Sequence, residues 1–318
     1  MAARAAAGWP RGFVERLARA LGPDEAARAL AAQAAPAHAA FRVNRLRATP
    51  EAALAAVRAD GLDPEPLPGL EGVWAVPAHA RGRLTHGRAA AGGLIYVQNP
   101  SSIAAVLALD PRPGEAVLDL CAAPGGKTLL IAERVGEAGI VSAVEAVRAR
   151  FHRLRANLAR HGADGRVRCF LADGARVWRK VEGRFDRVLV DAPCSAEARI
   201  RPGAPETARH WSERKIAEMA RKQRRLLASA LRCLRPGGVL VYCTCTYAPE
   251  ENEAVAAWLL ARHPEARVEP LAIPAPRTMP GLCDWADEAF PEAVTRALRI
   301  LPDGPWEGFF LCRLRRTA

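Results

Sequence analysis

The chain has 318 residues, enough for one large domain or for a large and a small domain with a buried core. Its 46 Lys and Arg against 34 Asp and Glu give a formal net charge of +12, which favours a polyanionic partner, although the general abundance of Arg and Ala weakens that argument. Its eight cysteines form no Cys-x-x-Cys pair, and no segment approaches the roughly 18 consecutive apolar residues of a membrane span, so a secreted disulfide framework and a membrane protein are both excluded.

The first 40 residues are rich in Ala and Arg, as transit peptides are. However, Phe13, Leu17 and Leu21 have helical spacing, and the acidic residues at positions 24 and 25 interrupt the basic composition. These features favour an ordinary amphipathic helix. We therefore expect a cytoplasmic protein, and we expect no bound metal.

Short apolar runs separated by turn residues follow this helix. They predict strands at 41–44, 72–76 and 93–97, and a helix at 50–60 that Gly61 ends. We predict that residues 1–100 are helical and then form a small α/β module, which ends in a polar turn at 98–102.

Strands and helices alternate regularly in the rest of the chain. The pattern predicts strands at 117–120, 140–144, 167–171, 188–190, 239–242 and 308–314, with helices at 146–161 and 216–234. This order is typical of a parallel, doubly wound α/β sheet covered on both faces. It predicts a second domain at 101–318.

A loop of small residues, 119–128, follows the first of these strands. Such a loop lets a nucleotide-like ligand approach the backbone and the N-terminus of the next helix. A phosphate-binding P-loop needs glycine where Cys121 stands, and a dinucleotide site needs Gly-x-Gly-x-x-Gly, whereas only the adjacent Gly125 and Gly126 are present. The loop therefore disfavours both a nucleotide triphosphatase and a nicotinamide dehydrogenase.

Acidic residues follow successive strands. Glu145 lies 26 positions beyond Asp119, where a carboxylate can bind both hydroxyls of a ribose, and Asp173 follows the third strand, where it can meet an adenine edge. Together with a loop unsuited to pyrophosphate, these positions fit S-adenosylmethionine. Carboxylates that merely cap the following helices are the alternative.

Two cysteines stand where later strands of the sheet end. Cys194 follows the fourth strand, three residues after Asp191, and Cys245 follows the fifth. Because the carboxyl ends of parallel strands lie along one edge of the sheet, both thiols are expected at the site of chemistry. They suit a reaction that forms and breaks a carbon–sulfur bond on an electron-poor ring. A small buried apolar residue is the usual alternative for a lone cysteine.

Three long motifs resemble the Sun/Nop family of RNA cytosine-5 methyltransferases. They are PGEAVLDLCAAPGGKT at 113–128, DAPCS at 191–195 and LRPGGVLVYCTCTYAPEENEAV at 234–255. FRVNRL at 41–46 and GFFLCRLRR at 308–316 extend the resemblance over nearly the whole chain.

The resemblance implies a Rossmann-like class I methyltransferase sheet, mostly parallel with one antiparallel edge strand, and S-adenosylmethionine as cofactor. It implies Cys245 as nucleophile and Cys194 as the residue that helps to release the product. It also implies RNA as substrate, ribosomal RNA first and transfer RNA second, with residues 1–100 helping to place that RNA, and we expect a monomer. The residues implied to contact the cofactor are Cys121, Ala122, Ala123, Pro124, Gly125, Gly126, Lys127, Glu145, Arg150, Asp173 and Asp191.

The chemistry of cytosine is consistent with these roles. Carbon 5 becomes nucleophilic only after a thiolate adds to carbon 6, which requires an activated cysteine such as Cys245. Asp191, close to ring nitrogen 3 if it is protonated or bridged by a water, could stabilise the charge that develops as sulfur adds. The proton on carbon 5 must then leave, and a second thiol or a water is a suitable base.

The chain departs from the usual family pattern at two places. Cys243 stands two positions before Cys245, where relatives more often have serine, and this leaves open an auxiliary role for its thiol. After DAPCS, many relatives continue with Gly-Thr-Gly, whereas this chain has a different loop at 196–202. We predict that this loop is the RNA entrance, with Trp211 either stacking on a base or packing in the fold. The basic run at 221–225 is either a phosphate track or a solvated helix face.

Two further alternatives remain for the function. A DNA cytosine-5 methyltransferase would use the cysteine of the Pro-Cys pair, Cys194, as nucleophile and would not need Cys245. A catalytically silent RNA-binding factor in ribosome assembly would keep the fold without turnover.

Overall fold

The computed structural model describes residues 8–36 and 38–317, so the outermost residues of both predicted domains, 1–7 and 318, lie outside the described part. Two helices come first, α1 (Phe13–Leu21) and α2 (Pro23–Ala34). The predicted amphipathic helix is confirmed, because α1 buries Phe13, Leu17 and Leu21. These side chains belong to the core of the large sheet described below, not to that of the small module.

The small module is an antiparallel four-stranded sheet with three short helices, in the strand order β2-β3-β1-β4. It has its own apolar core, which includes Phe41, Val57 and Ile95. Its elements in chain order are β1 (Ala39–Val43), α3 (Pro50–Ala59), β2 (Glu65–Pro66), β3 (Val73–Val76), α4 (Arg81–His86), α5 (Arg88–Ala91) and β4 (Ile95–Val97).

The polar turn predicted at 98–102 is wrong, because a helix, α6 (Pro100–Leu109), begins inside it. Asn99 Oδ1 accepts a hydrogen bond from the backbone N–H of Ser101 at 2.8 Å. Pro100 occupies the first helical position, where its missing N–H costs no hydrogen bond. The polar residues that suggested a turn therefore cap this helix.

The large sheet has the strand order β11-β14-β15-β9-β8-β5-β6-β7, with β10 also paired to β15. Strands β5 to β9 are parallel, as predicted. The predicted single antiparallel strand, β15, is joined by three more antiparallel strands, so it is not an edge.

The strands are β5 (Ala116–Asp119), β6 (Ile140–Glu145), β7 (Val167–Leu171), β8 (Phe185–Asp191), β9 (Leu234–Thr244), β10 (Ala266–Glu269), β11 (Thr278–Pro280), β14 (Leu298–Ile300) and β15 (Phe309–Arg316). A separate hairpin pairs β12 (Asp284–Trp285) with β13 (Glu288–Ala289).

Helices cover both faces of this sheet. They are α7 (Gly126–Val135), α8 (Arg148–Arg160), α9 (Trp178–Val181), α10 (Glu213–Cys233) and α11 (Glu253–Arg262), in addition to α1, α2 and α6. Buried residues of α6, α7 and α8 pack on one face, and those of α1, α2, α10 and α11 pack on the other. No helix in the described ranges is long and apolar enough to cross a lipid bilayer.

Buried polar contacts join the small module to the large sheet. Arg42 on β1 forms an ion pair with Glu133 on α7, and both side chains are less than a tenth exposed. Asn44 Nδ2 donates to the carbonyls of Gly93 at 2.7 Å and His161 at 2.9 Å. The FRVN segment therefore fixes the module beside the carboxyl ends of the parallel strands.

Candidate active site

A cleft of about 830 Å³ opens where β5, β8 and β9 end, with the small module along one side. Most of the predicted site residues line it: Cys121, Ala122, Ala123, Pro124, Gly126, Lys127, Arg150, Asp191, Cys194 and Cys245. The other three, Gly125, Glu145 and Asp173, do not line it. The topology thus brings the 119–128 loop and both thiols into one cavity.

The loop between β5 and α7 is held by its neighbours. Gly125 has a φ of +111°, a backbone conformation that residues with a side chain rarely adopt. A Cβ on Gly126 would lie 2.6 Å from the ring of Tyr96 on β4, so the small module contacts this loop directly. From α8, Arg150 Nη2 donates to the carbonyl of Ala123 at 2.7 Å. The loop is therefore a fixed wall of the cleft.

Two carboxylate oxygens near this loop, Asp119 Oδ1 and Glu145 Oε2, are buried without a hydrogen-bond partner in the described part of the chain. Their companion oxygens accept hydrogen bonds from Thr128 Oγ1 at 2.7 Å and from the N–H of Val147 at 2.9 Å. Arg150 Nη1 lies 3.6 Å from Glu145 Oε2, beyond hydrogen-bond distance. Burial raises the pKa of Asp119 to about 6. Because unpaired buried acceptors are costly, these oxygens suit a ligand with hydroxyl and ammonium donors, which S-adenosylmethionine has.

Asp173 has the helix-capping role that the sequence left open. Its Oδ1 accepts from the N–H of Ala175 at 3.0 Å at the start of a 3-10 turn. Its side chain is half-exposed, and Arg176 lies 3.7 Å away. The cap accounts for one oxygen and leaves the other accessible.

The two predicted thiols are in contact, with Cys194 Sγ and Cys245 Sγ 3.4 Å apart. The hydrogen bond from Cys194 holds the pKa of Cys245 below its usual value, and the positive charge of Arg199 acts in the same direction against the effect of burial. The same hydrogen bond, reinforced by burial, raises the pKa of Cys194 well above its usual value. The environment of the pair therefore favours ionisation of Cys245 over ionisation of Cys194.

Asp191 is held by a lysine and a thiol. Lys127 Nζ lies 2.7 Å from Asp191 Oδ2 and 3.1 Å from Ser102 Oγ. Burial opposes the charge of Lys127, but Asp191, Cys243 and Asp119 together outweigh it and raise the lysine pKa. Cys243 Sγ is 3.7 Å from Asp191 Oδ1, and burial raises its pKa well above the usual value. The second thiol of the Thr-Cys strand therefore contacts the site carboxylate and not the thiol pair.

The loop after Cys194 docks against Cys245. Ala196 has a φ of +58°, a left-handed conformation that favours glycine. The following 3-10 turn, Glu197–Arg199, donates from the N–H of Ala198 to the carbonyl of Cys245 at 3.1 Å. The carboxylate of Glu197 is buried and accepts from Thr246 Oγ1 at 2.8 Å.

A buried glutamate lies beneath the other side of the Cys194 segment. Glu251 Oε2 accepts from the N–H of Ser195 at 3.0 Å and from Gln223 Nε2 at 2.8 Å. Gln223 also donates to the carbonyl of Pro193 at 2.9 Å. Burial raises the pKa of Glu251 to about 8. This contact fixes the backbone on both sides of Cys194.

Trp211 packs in the fold, the alternative that the sequence left open. Its ring meets Phe13 edge-on with centroids 5.8 Å apart, and its Nε1 donates to Glu197 Oε1 at 2.8 Å.

In the basic run at 221–225, Gln223 is buried, whereas Arg221, Lys222 and Arg225 are exposed.

The sequence did not single out several residues at this site. Asp119 stands out in the sequence only as the end of a strand, and Arg199 and Glu197 carry no motif signal of their own. Glu251 lies within the 234–255 motif, but nothing in that motif marks it as a site residue. Arg199 and Glu197 stand in the loop that departs from the family pattern, which was the available clue. The role of Glu251 depends on a contact with Ser195 that is 56 positions away in the chain.

Comparison with known proteins places these motifs in a family. The family described as 16S rRNA methyltransferase RsmB/F matches residues 106–315, which include the thiol pair and the 119–128 loop. A methyltransferase homolog protein from Pyrococcus horikoshii has a solved structure that covers 99% of this chain and 97% of its own, with a TM-score of 0.82 and 30% identity.

Two curated relatives differ in the RNA that their names give. The tRNA (cytosine(49)-C(5))-methyltransferase of Pyrococcus abyssi is 39% identical over 225 residues, covering 70% of this chain and 71% of the relative. The ribosomal RNA small subunit methyltransferase F of Pectobacterium carotovorum is 36% identical over 303 residues, covering 91% of this chain. This chain spans only 58% of the length of the Pectobacterium protein.

Proposed function

The chain belongs to the RsmB/F family of S-adenosylmethionine-dependent methyltransferases, and from this premise we propose that it transfers a methyl group to carbon 5 of a cytosine in RNA. The observation that carries the proposal is the contact between Cys194 and Cys245, 3.4 Å apart, in the same cleft as the cofactor loop. A DNA enzyme of the related class would need only Cys194 as nucleophile. Here the thiol with the lowered pKa is Cys245.

We propose that the loop Cys121–Lys127 and the acidic residues that follow it bind the cofactor. Glu145 Oε2 and Asp119 Oδ1 have free acceptor capacity for the ribose hydroxyls and the ammonium group. We also assign Asp173, Asp191 and Arg150 to the proposed cofactor site. When bound, S-adenosylmethionine supplies an electrophilic methyl group on a sulfonium.

Cys245 performs the first step on the RNA. Its thiolate adds to carbon 6 of the cytosine, and the electron pair of the 5,6 double bond becomes available at carbon 5. Asp191, hydrogen-bonded to Lys127, is the group that interacts with the polar edge of the base. The lysine charge supplies electrostatic stabilisation as negative charge develops on the ring.

Cys194 serves the second step. After carbon 5 has been methylated, its proton must leave to a base, and the electron pair then re-forms the double bond and expels Cys245 as a thiolate. Cys194 lies beside that sulfur. Once Cys245 is bonded to carbon 6 it is no longer a thiolate that keeps Cys194 protonated, so Cys194 releases its own proton to water, and the resulting thiolate accepts the carbon-5 proton directly or through a water. The freed Cys245 thiolate regains its hydrogen bond from Cys194.

We propose ribosomal RNA as the first candidate substrate and transfer RNA as the second. The RsmB/F description and the Pectobacterium relative support the first, and the Pyrococcus abyssi relative supports the second. The small module, with Arg81 on the cleft, would help to place the RNA. We further propose a cytoplasmic, monomeric enzyme.

Variants of the two thiols test this function. We expect Cys245→Ala to abolish methyl transfer, because no thiolate can add to carbon 6. We expect Cys194→Ala to accumulate enzyme that is covalently attached to RNA, because release fails. A denaturing gel of each variant, incubated with RNA and S-adenosylmethionine, measures both results. An adduct formed by the Cys245 variant and not by the Cys194 variant would reverse the roles, and RNA binding without turnover by the wild-type chain would indicate the silent assembly factor.

A further inference from the structure

Arg199 is the one residue of the segment 197–200 whose side chain enters the cleft. Its neighbours Glu197, Ala198 and Ile200 are at most 2% exposed, whereas Arg199 is exposed along the cleft wall. The same wall carries Cys194 and Cys245. The local backbone therefore places one cation beside the thiol pair.

The segment that carries this cation is held from two directions. From α2, Gln33 Nε2 donates to the carbonyls of Glu197 at 2.8 Å and Ile200 at 2.7 Å. The N–H of Ala198 donates to the carbonyl of Cys245 at 3.1 Å. The backbone next to the arginine is thus attached to the backbone of the nucleophile, which keeps the base of the Arg199 side chain close to Cys245.

The guanidinium of Arg199 makes no hydrogen bond and no ion pair within residues 8–36 and 38–317. The neighbouring Arg201 differs, since its Nη1 donates to the carbonyls of Ala198 at 3.0 Å and Ile200 at 3.1 Å, and its Nη2 lies 3.8 Å from Glu307. Arg201 supports the loop, whereas the charge of Arg199 is free to act in the cleft.

We propose that Arg199 activates Cys245 by stabilising its thiolate in the free enzyme. The inference rests on the proposed role of Cys245 as the nucleophile. A cation beside a thiol favours the charged form of that thiol. The charge of Arg199 lowers the pKa of Cys245, in addition to the hydrogen bond from Cys194. Once the sulfur is bonded to carbon it is neutral, so the stabilisation acts on the thiolate before attack.

The pH dependence of Cys245 alkylation tests this activation without RNA or cofactor. Free enzyme is treated with iodoacetamide between about pH 5.5 and 9.5, and the modified peptide is quantified by mass spectrometry. We expect Arg199→Met to raise the midpoint for Cys245 by about one pH unit, which corresponds to about tenfold slower alkylation near pH 7. We expect Arg199→Lys, which keeps the charge, to restore most of the wild-type behaviour.

Matched controls distinguish the loss of the Arg199 charge from a change in the folded structure. Arg153→Met removes another exposed guanidinium from the cleft lining and is expected to leave the midpoint unchanged. Buried Cys312 should stay protected and exposed Cys283 reactive in every folded variant. If the Met variant exposes Cys312, Arg199→Gln serves as the second neutral variant.

Three results would overturn the inference in different ways. An unchanged midpoint in folded Arg199→Met, together with a raised KM for RNA, would make Arg199 a phosphate-binding residue. If Cys245→Ala retained methyl transfer, the proposed function itself would fail. If Cys245→Ala is inactive and the midpoint does not move, only the role of Arg199 is lost.

Discussion

At the scale of single residues, the site depends on neighbours that shift the pKa values of two similar thiols in opposite directions. Cys194 and Cys245 both end a strand and both face the cleft. The sequence could predict their position, because strand ends and motif spacing are local properties. It could not predict the contact of Glu251 with Ser195, or the position of Arg199, because these depend on how distant segments pack.

The buried carboxyl of Glu251 leads to a prediction about stability and pH. Its pKa is about 8 in the folded chain, against an ordinary value of 4.5. Between these values the folded chain keeps a proton that the unfolded chain releases, so the free energy of unfolding falls as the pH rises through this window and levels off above 8. The contribution is about 5 kcal/mol at most. We expect Glu251→Gln to remove this part of the pH dependence, measured by urea unfolding at several pH values.

A control at an exposed carboxylate completes that experiment. Glu206 is exposed, and Glu206→Gln should follow the wild-type pH profile. Parallel profiles for Glu251→Gln and the wild type would show that Glu251 is ionised in the folded chain at neutral pH.

At the scale of helices and strands, local patterns predicted most elements but not their partners. The parallel strands β5 to β9 could be predicted because apolar runs alternate with amphipathic helices. The antiparallel extension β10, β11 and β14 could not, since these strands have three or four residues each and little periodicity. The packing of α1 and α2 on the large sheet was also missed, because an amphipathic helix does not specify which core it covers. We therefore propose that the small RNA-placing module is limited to residues 39–97.

The ion pair between β1 and α7 should be important for stability. Arg42→Met leaves Glu133 as an uncompensated buried charge, so we expect a loss of about 3–5 kcal/mol in the free energy of unfolding. The exposed pair Arg45–Glu71 is the matched control, and Arg45→Met should cost less than about 1 kcal/mol. Chemical denaturation of both variants makes the comparison. Equal losses would mean that the buried pair does not hold the two units together.

At the scale of the whole molecule, the net charge of +12 is compatible with RNA binding, but the arrangement of the cations matters more than their number. Many arginines are occupied by carboxylates or backbone carbonyls, as Arg187 is by Glu115. Arg81 and Arg153 line the cleft from the small module and from α8, and neither has a side-chain hydrogen bond or ion pair in the described ranges. Composition predicted a polyanionic partner, and only the fold shows which cations are available to it.

Salt dependence measures these cations directly. Each phosphate contact on single-stranded RNA contributes about 0.7 to the slope of log affinity against log salt. We therefore expect Arg81→Met combined with Arg153→Met to reduce that slope by about 1.4, measured by fluorescence anisotropy with an RNA oligonucleotide. Arg168→Met, on β7 and outside the cleft, should leave the slope unchanged. An unaltered slope in the double variant would place the RNA on another surface.

The contact between Gly126 and Tyr96 changes the meaning of the paired glycines. In nucleotide-binding loops such glycines make room for a ligand, but here the space of a missing methyl group is filled by an aromatic ring from the other unit of the chain. Replacement of Gly126 would therefore disturb the junction of the two units before it disturbed the ligand. The side chains at 96 and 126 would occupy the same space, so a larger side chain at 126 requires a smaller one at 96.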